Sequence, residues 1–240
     1  MAGFQGGYKV DIAFVIDATG SMEPIMTQVK ERALTLGDEI KQKMEAAGKH
    51  VGALRMRVID FADFASESIE AIRASDFYTM PEQQAEFEAQ VRGIQYADRG
   101  GDVPENALEA LWVAMKSDWV DLPGLTPGRH IIVLITDAPP LNLGERNGCM
   151  GYVADDYPEN IQEMEEIWKE QASQGGGHTK LSPKKKRLLL FAPETGDGTH
   201  SWAAVSGWEN TIHTKVEPAN GLSDMDNGLN DIIAEIVRSL

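Results

Sequence analysis

The sequence predicts an α/β protein with a doubly wound, mostly parallel sheet of six strands, one of them an antiparallel edge strand, and helices on both faces. Two observations carry most of this. The predominantly apolar run Val10 to Val15 and the continuously apolar run Ile131 to Ile135 read as strands covered on both sides by helices, and each gives way to an aspartate, Asp17 and Asp137. Between such runs lie helix-period patterns, the alternation expected of parallel strands joined by crossover helices.

The elements follow in order. After the first strand, Ile25, Val29, Ala33, Leu36, Ile40 and Met44 recur at spacings of four and three, so an amphipathic helix should run from about Glu23 to Ala47, with Gly48 stopping it. Leu54 to Phe64 and Ser68 to Tyr78 read as two strands joined around Ala65 to Glu67, a turn short enough for an antiparallel hairpin. Helices are expected over Pro81 to Ile94 and Pro104 to Ser117. The second carries Ala107, Leu108, Leu111, Trp112 and Met115 on one face, a core stripe.

Beyond Asp137 the stretch Ala138 to Asp156 has no period and reads as a long loop. Asp155 and Asp156 should open a helix over Glu159 to Gln171. The segment Gln174 to Lys186, with Gly175 to Gly177 and the basic cluster Lys184 to Arg187, reads as a solvated connection into a strand over Leu188 to Ala192. A loop and short helix within Thr195 to Trp208, a strand over Thr211 to Val216 and a closing helix striped by Leu229, Ile232, Ile233, Ile236, Val237 and Leu240 complete the order.

Length and composition suit one compact unit over residues 1–240. The chain has 22 Lys+Arg against 38 Asp+Glu, a formal charge of −16, which argues against a nucleic-acid or anionic-membrane surface and suits cation binding. The first strand begins near Tyr8 with no secretory pattern before it, no apolar stretch nears the length of a membrane span, and Cys149 is the single cysteine, so a cytoplasmic location is expected.

The chemistry concentrates at the strand ends. Asp17, Thr19 and Ser21 place a carboxylate and two hydroxyls at alternate positions where a strand becomes a loop, a set of hard oxygen ligands suited to Mg²⁺ or a similar cation. In open parallel sheets, ligands collect beyond the carboxyl ends of the strands, which makes Asp137 a candidate neighbour. The segment Tyr96 to Leu108 is a glycine-containing turn leading into the helix expected over Pro104 to Ser117, with Pro104 in its first turn, and Asp102, near the helix start, could reach the same crevice. Taken singly, any of these residues could be only a helix cap or turn former.

Together, Asp-x-Thr-x-Ser at 17–21, Gly-Gly-Asp-x-Pro-Glu at 100–105 and Ile-Thr-Asp-Ala-Pro-Pro at 135–140 resemble the metal-ion-dependent adhesion site of von Willebrand factor A-type (vWA) domains, in the family's order. The resemblance implies a Rossmann-like fold with one antiparallel edge strand. It also implies a metal held by Asp17, Thr19, Ser21, Asp102 and Asp137. Where many members have a threonine, this chain has Asp102: either it acts through a bridging water and leaves the metal electrophilic, or it binds directly and makes the site less attractive to an acidic ligand. Asp155 to Pro158, with the segment around Asp137, looks like the version found in intracellular proteins and beside alpha-type kinases. The closing helix is the element the family moves when its metal changes ligation.

These features imply a protein-binding scaffold that uses Mg²⁺, or Mn²⁺ or Ca²⁺, to capture an Asp or Glu of a partner protein. A metal-dependent phosphoryl hydrolase with Asp17 as nucleophile is the enzyme alternative, but the second acid such enzymes need two residues later is here Thr19. A third alternative is a structural unit with an unused site. The five histidines are scattered without zinc-site spacing, with only His178 and His200 placed on loops that could approach the crevice, and neither a Gly-x-Ser-x-Gly turn nor a kinase signature is present.

Overall fold

A computed structural model describes residues 7–64, 71–95, 104–143, 145, 156–170, 179–194 and 199–216. Asp102, Cys149, Asp155, His178, the run Gly175 to Gly177 and the expected closing helix lie outside the described residues.

The strands are β1 (Tyr8–Asp17), β2 (Val51–Phe61), β3 (Ile72–Ala74), β4 (Tyr78–Met80), β5 (Gly128–Ile135), β6 (Lys186–Ala192) and β7 (Thr211–Lys215). The helices are α1 (Glu23–Ala46), α2 (Gln84–Arg92), α3 (Ala107–Met115), α4 (Ile161–Lys169) and α5 (Ala203–Ser206). The strands form one sheet in the order β3-β2-β1-β5-β6-β7, with β4 also on β2. Pairings among β2, β1, β5, β6 and β7 are parallel, and those of β3 and β4 are antiparallel.

Burial on both faces follows the strand period of two. From β1, Val10, Ile12, Phe14 and Ile16 join Ile131, Val133 and Ile135 under α1 and α2, whereas Ala13 and Val15 join Ile132, Leu134, Leu188 and Leu190 under α3, α4 and α5. Helix α1 buries the predicted residues and stops as expected, with Gly48 at a φ of +75°. Gly37 lets it lie close on the sheet, because a Cβ there would collide with the Met56 sulfur.

The antiparallel edge differs from the single strand expected, which makes seven strands in place of six. Ser75 bonds Val58 twice, through its own N–H to the Val58 carbonyl and through its hydroxyl, which accepts from the Val58 N–H at 3.1 Å. The chain then leaves the sheet, and Phe77 packs edge-on against Trp119 with the Arg55 guanidinium over its ring. It returns as β4, paired with Leu54–Met56. Two short edge strands also offer little template for pairing with another chain.

Three further expectations are corrected. Helix α3 starts at Ala107 and not at Pro104, because the Glu105 backbone is bonded to the chain beyond β5: its N–H reaches the Pro139 carbonyl at 3.0 Å and its carbonyl accepts from Leu141 N–H at 2.7 Å. Helix α4 is capped by Asn160, whose side chain accepts from the Glu163 N–H at 2.9 Å, while Asp156 pairs with Lys116 instead. The basic cluster is solvated only at Lys184. Lys185 donates to the carbonyls of Leu122, Gly124 and Thr126, and Lys186 is buried within β6 with its ammonium 4.7 Å from the centre of the Trp168 ring. That burial pulls the Lys186 pKa down to about 8.

His130 on β5 is fully buried and neutral. Its Nε2 donates to the Val120 carbonyl at 2.9 Å and its Nδ1 accepts from the Ser182 N–H at 3.2 Å, a pattern only one neutral tautomer makes. Burial pushes its pKa down to about 4. The unfolded chain takes up this proton near pH 6.5 and the folded chain does not until about pH 4, so stability falls as pH drops through that window, by about 3 kcal/mol from this group. Urea midpoints measured between pH 4 and pH 7 should show the wild type losing about this much stability relative to His130→Gln as the pH falls, the buried carboxyl groups titrating alike in both.

Candidate metal centre

The order of the strands positions the site. From β1 the chain first moves to β2 and the edge, then returns to the other side of β1 to build β5, β6 and β7. The connections leaving β1 and β5 therefore diverge, which opens a crevice beyond the carboxyl ends of these two neighbours. Asp17 ends β1, and Thr136 and Asp137 directly follow β5, whose Ile135 is paired with Ile16.

Four oxygen-bearing side chains meet there. Thr19 turns both its N–H and its hydroxyl onto Asp17 Oδ1, at 2.9 and 2.7 Å. The Thr19 and Ser21 hydroxyls are 3.1 Å apart, and the Ser21 hydroxyl donates to Asp137 Oδ1 at 2.9 Å. Asp17, Thr19, Ser21 and Asp137 are thus linked in one chain of hydrogen bonds, whose last link joins residues 116 apart in sequence. Although Thr19 stands before the 3-10 turn Gly20–Met22, its side chain caps nothing, so the ordinary role of a threonine at such a place does not apply.

The electrostatics are those of a buried acid. Asp17 is wholly buried, and its pKa is pushed up to about 6: burial dominates, bonds from Thr136 and Thr19 oppose it, and the nearby Asp137 charge adds to it. Asp137 is also raised, chiefly by burial.

Two contributors escaped the sequence reading. Thr136 donates to Asp17 Oδ2 at 2.6 Å and accepts from the Ala138 N–H at 3.1 Å, so it fixes the carboxylate that β1 presents. Glu105 is buried beside the cluster, and its pKa is raised to about 8 by burial first and then by the charges of Asp17, Asp63 and Asp137. The visible signals were a hydroxyl residue immediately before Asp137 and an acid immediately after Pro104. The buried Trp202 holds the segment after Asp137, donating from its indole to the Ala138 carbonyl at 2.9 Å. His200 bonds Glu145 at 2.7 Å.

The donor set suits a hard divalent cation. An octahedral ion with metal–oxygen distances of about 2.1 Å keeps adjacent ligand oxygens about 3.0 Å apart, close to the spacings along Thr19, Ser21 and Asp137. Among the described residues, no three His, Cys, Asp or Glu side chains stand together as metal ligands, so a cation there would need the two hydroxyls as well as the carboxylates.

No family model matches the sequence. The alpha-protein kinase vwkA of Dictyostelium discoideum is 27% identical over 153 residues, which are 62% of this chain and 21% of the kinase. Among solved structures, the pilus adhesin SpaC from Lactobacillus rhamnosus GG aligns over 97% of this chain with a TM-score of 0.56 at 13% identity. The chain shares the adhesin's fold. A von Willebrand factor type A structure from Catenulispora acidiphila aligns over 97% of this chain and 43% of its own at 12% identity, with a TM-score of 0.49. The match covers 31% of the adhesin, so the chain spans less than a third of the kinase or of the adhesin. No described helix is long and apolar enough to cross a membrane.

Proposed function

We propose that the chain is a vWA-type domain that binds proteins through a divalent cation, Mg²⁺ or Mn²⁺, with an Asp or Glu of the partner completing the coordination. The observation that carries this is the hydrogen-bonded series Asp17, Thr19, Ser21 and Asp137 at the divergence of β1 and β5. Asp17, Thr19, Ser21 and Asp137 would hold the ion, joined by Asp102 from outside the described residues. When bound, the ion supplies a positive charge with a coordination position open to a carboxylate. Thr136 holds Asp17 in place, and Ser21 ties the β1 loop to the β5 loop.

The same geometry favours binding over hydrolysis. Both oxygens of Asp17 already accept hydrogen bonds in a buried setting, which suits a fixed ligand better than an attacking nucleophile. The kinase relative supports reading this as the version of the domain found beside alpha-type kinases; a cytoplasmic scaffold is the role this reading gives it.

Calorimetric titration with Mg²⁺, Mn²⁺ and Ca²⁺ tests the reading. One ion should bind per chain and raise the melting temperature, with a stabilisation of about 2.7 kcal/mol at a hundredfold excess over Kd. With Mn²⁺ bound, added acetate should displace a coordinated water and lower the water-proton relaxation enhancement. A flat titration removes the metal, and an enhancement indifferent to acetate removes acid capture. Asp102→Thr separates the two modes open to Asp102. Direct ligation predicts about fivefold tighter acetate binding, the weight of about 1 kcal/mol carried by one unit charge near 4 Å in a water-like medium. Action through water predicts no change.

A further inference from the structure

Glu105 is the part of this crevice that the binding series leaves unused. The residue is 2% exposed, and Oε2 is buried with no hydrogen-bond partner among the described residues. Its place is fixed by the backbone, which forms a parallel bridge with Pro140 just beyond Asp137. A buried carboxyl oxygen without a partner among the described residues, in a group that feels the charges of Asp17, Asp63 and Asp137, costs stability unless something positive compensates it.

We propose that Glu105 is a positioning carboxylate of the cation site, acting on the ion through its bound water and raising the site's affinity for divalent cations. This rests on the metal-binding reading above. Among the described residues Glu105 forms no ligand set with two other acids, and no hydrogen bond ties it into the Asp17, Thr19, Ser21 and Asp137 series, so the role that fits it is through the hydration shell, which Mg²⁺ and Mn²⁺ sites built from few protein ligands retain. An outer carboxylate orients that shell by accepting its hydrogen bonds and adds negative charge without occupying a coordination position. The position open to a partner's acid is thereby kept. The elevated proton affinity of Glu105 agrees with a group whose compensating charge arrives with the ion.

The test is Mn²⁺ titration of Glu105→Gln and Glu105→Asp alongside the wild type, with melting temperatures taken in chelator. Glu105→Gln should bind Mn²⁺ tenfold to a hundredfold more weakly, the usual range for loss of an outer partner, and its cation-free melting temperature should equal or exceed that of the wild type. Glu105→Asp, which keeps the charge, should recover part of the affinity. A loss of less than tenfold in Glu105→Gln, a lower cation-free melting temperature, or no recovery in Glu105→Asp would overturn the assignment. Wild-type protein that binds no Mn²⁺ would instead refute the metal-binding reading on which it rests.

Discussion

Asp17→Asn is expected to weaken Mn²⁺ binding by at least about a hundredfold while leaving the cation-free fold as stable as the wild type or more so. The opposite signs come from one property. An amide keeps the size of the carboxylate and can still accept from Thr19 through its oxygen, but it brings no negative charge to a hard cation. In the cation-free protein that same charge is a burden: burial raises the Asp17 pKa from 3.8 to about 6. A carboxyl group with a raised folded-state pKa stabilises the fold fully below its unfolded value, and this is lost as pH rises through about 6. At neutral pH ionised Asp17 therefore costs about 3 kcal/mol. Asparagine removes that cost, less whatever the Thr136 bond loses. Calorimetry with Mn²⁺ and thermal melts in chelator at pH 7 read both effects, and Mn²⁺ affinity preserved in Asp17→Asn would exclude Asp17 from the site.

What was legible in the sequence, and what was not, divides by the range of the interactions that decide it. The α1 stripe and its stop at Gly48 are local, as are the apolar runs of β1 and β5, and they are observed close to where periodicity places them. The convergence of Asp17, Thr19, Ser21 and Asp137 also followed from local signals, because the ends of adjacent parallel strands meet wherever the sheet order makes them neighbours. The split of the edge into β3 and β4 turns on a single Ser75 hydroxyl that accepts from the strand backbone, which no pattern of apolar residues encodes. Lys185 and Lys186 look solvated because charge is counted before partners are known, and their partners come from the Leu122 to Thr126 loop and from Trp168. Glu105 was hidden for the same reason. Immediately after Pro104 it resembles an ordinary acid in the first turn of a helix, and only its bridge to Pro140 takes it out of α3 and into the crevice.

The largest loss of stability is expected from Asp11→Ala, at the far end of the same strand. Asp11 is almost wholly buried in β1 and accepts from Arg55 Nε and Nη2 at 2.9 and 2.6 Å and from the Val120 N–H at 2.7 Å. Asp11 sits opposite Arg55 of β2 and His130 of β5, and His130 binds the Val120 carbonyl. One aspartate thus neutralises a guanidinium packed over Phe77 and, with His130, secures both polar groups of the Val120 peptide. Removing it leaves Arg55 without its carboxylate and the Val120 N–H without its acceptor, which should cost about 3–5 kcal/mol. Replacing the pair, Asp11→Leu with Arg55→Met, should restore most of this, since the charge left unpaired and not the missing bridge dominates the penalty. Six residues of strand, about 20 Å, separate Asp11 from Asp17, so the Mn²⁺ affinity of folded Asp11→Ala should match the wild type. Urea denaturation reads the first effect and calorimetry the second. A shift below about 1 kcal/mol would show that solvent already screens Arg55, while a parallel loss of Mn²⁺ binding would mean that strain travels along β1 to the metal centre.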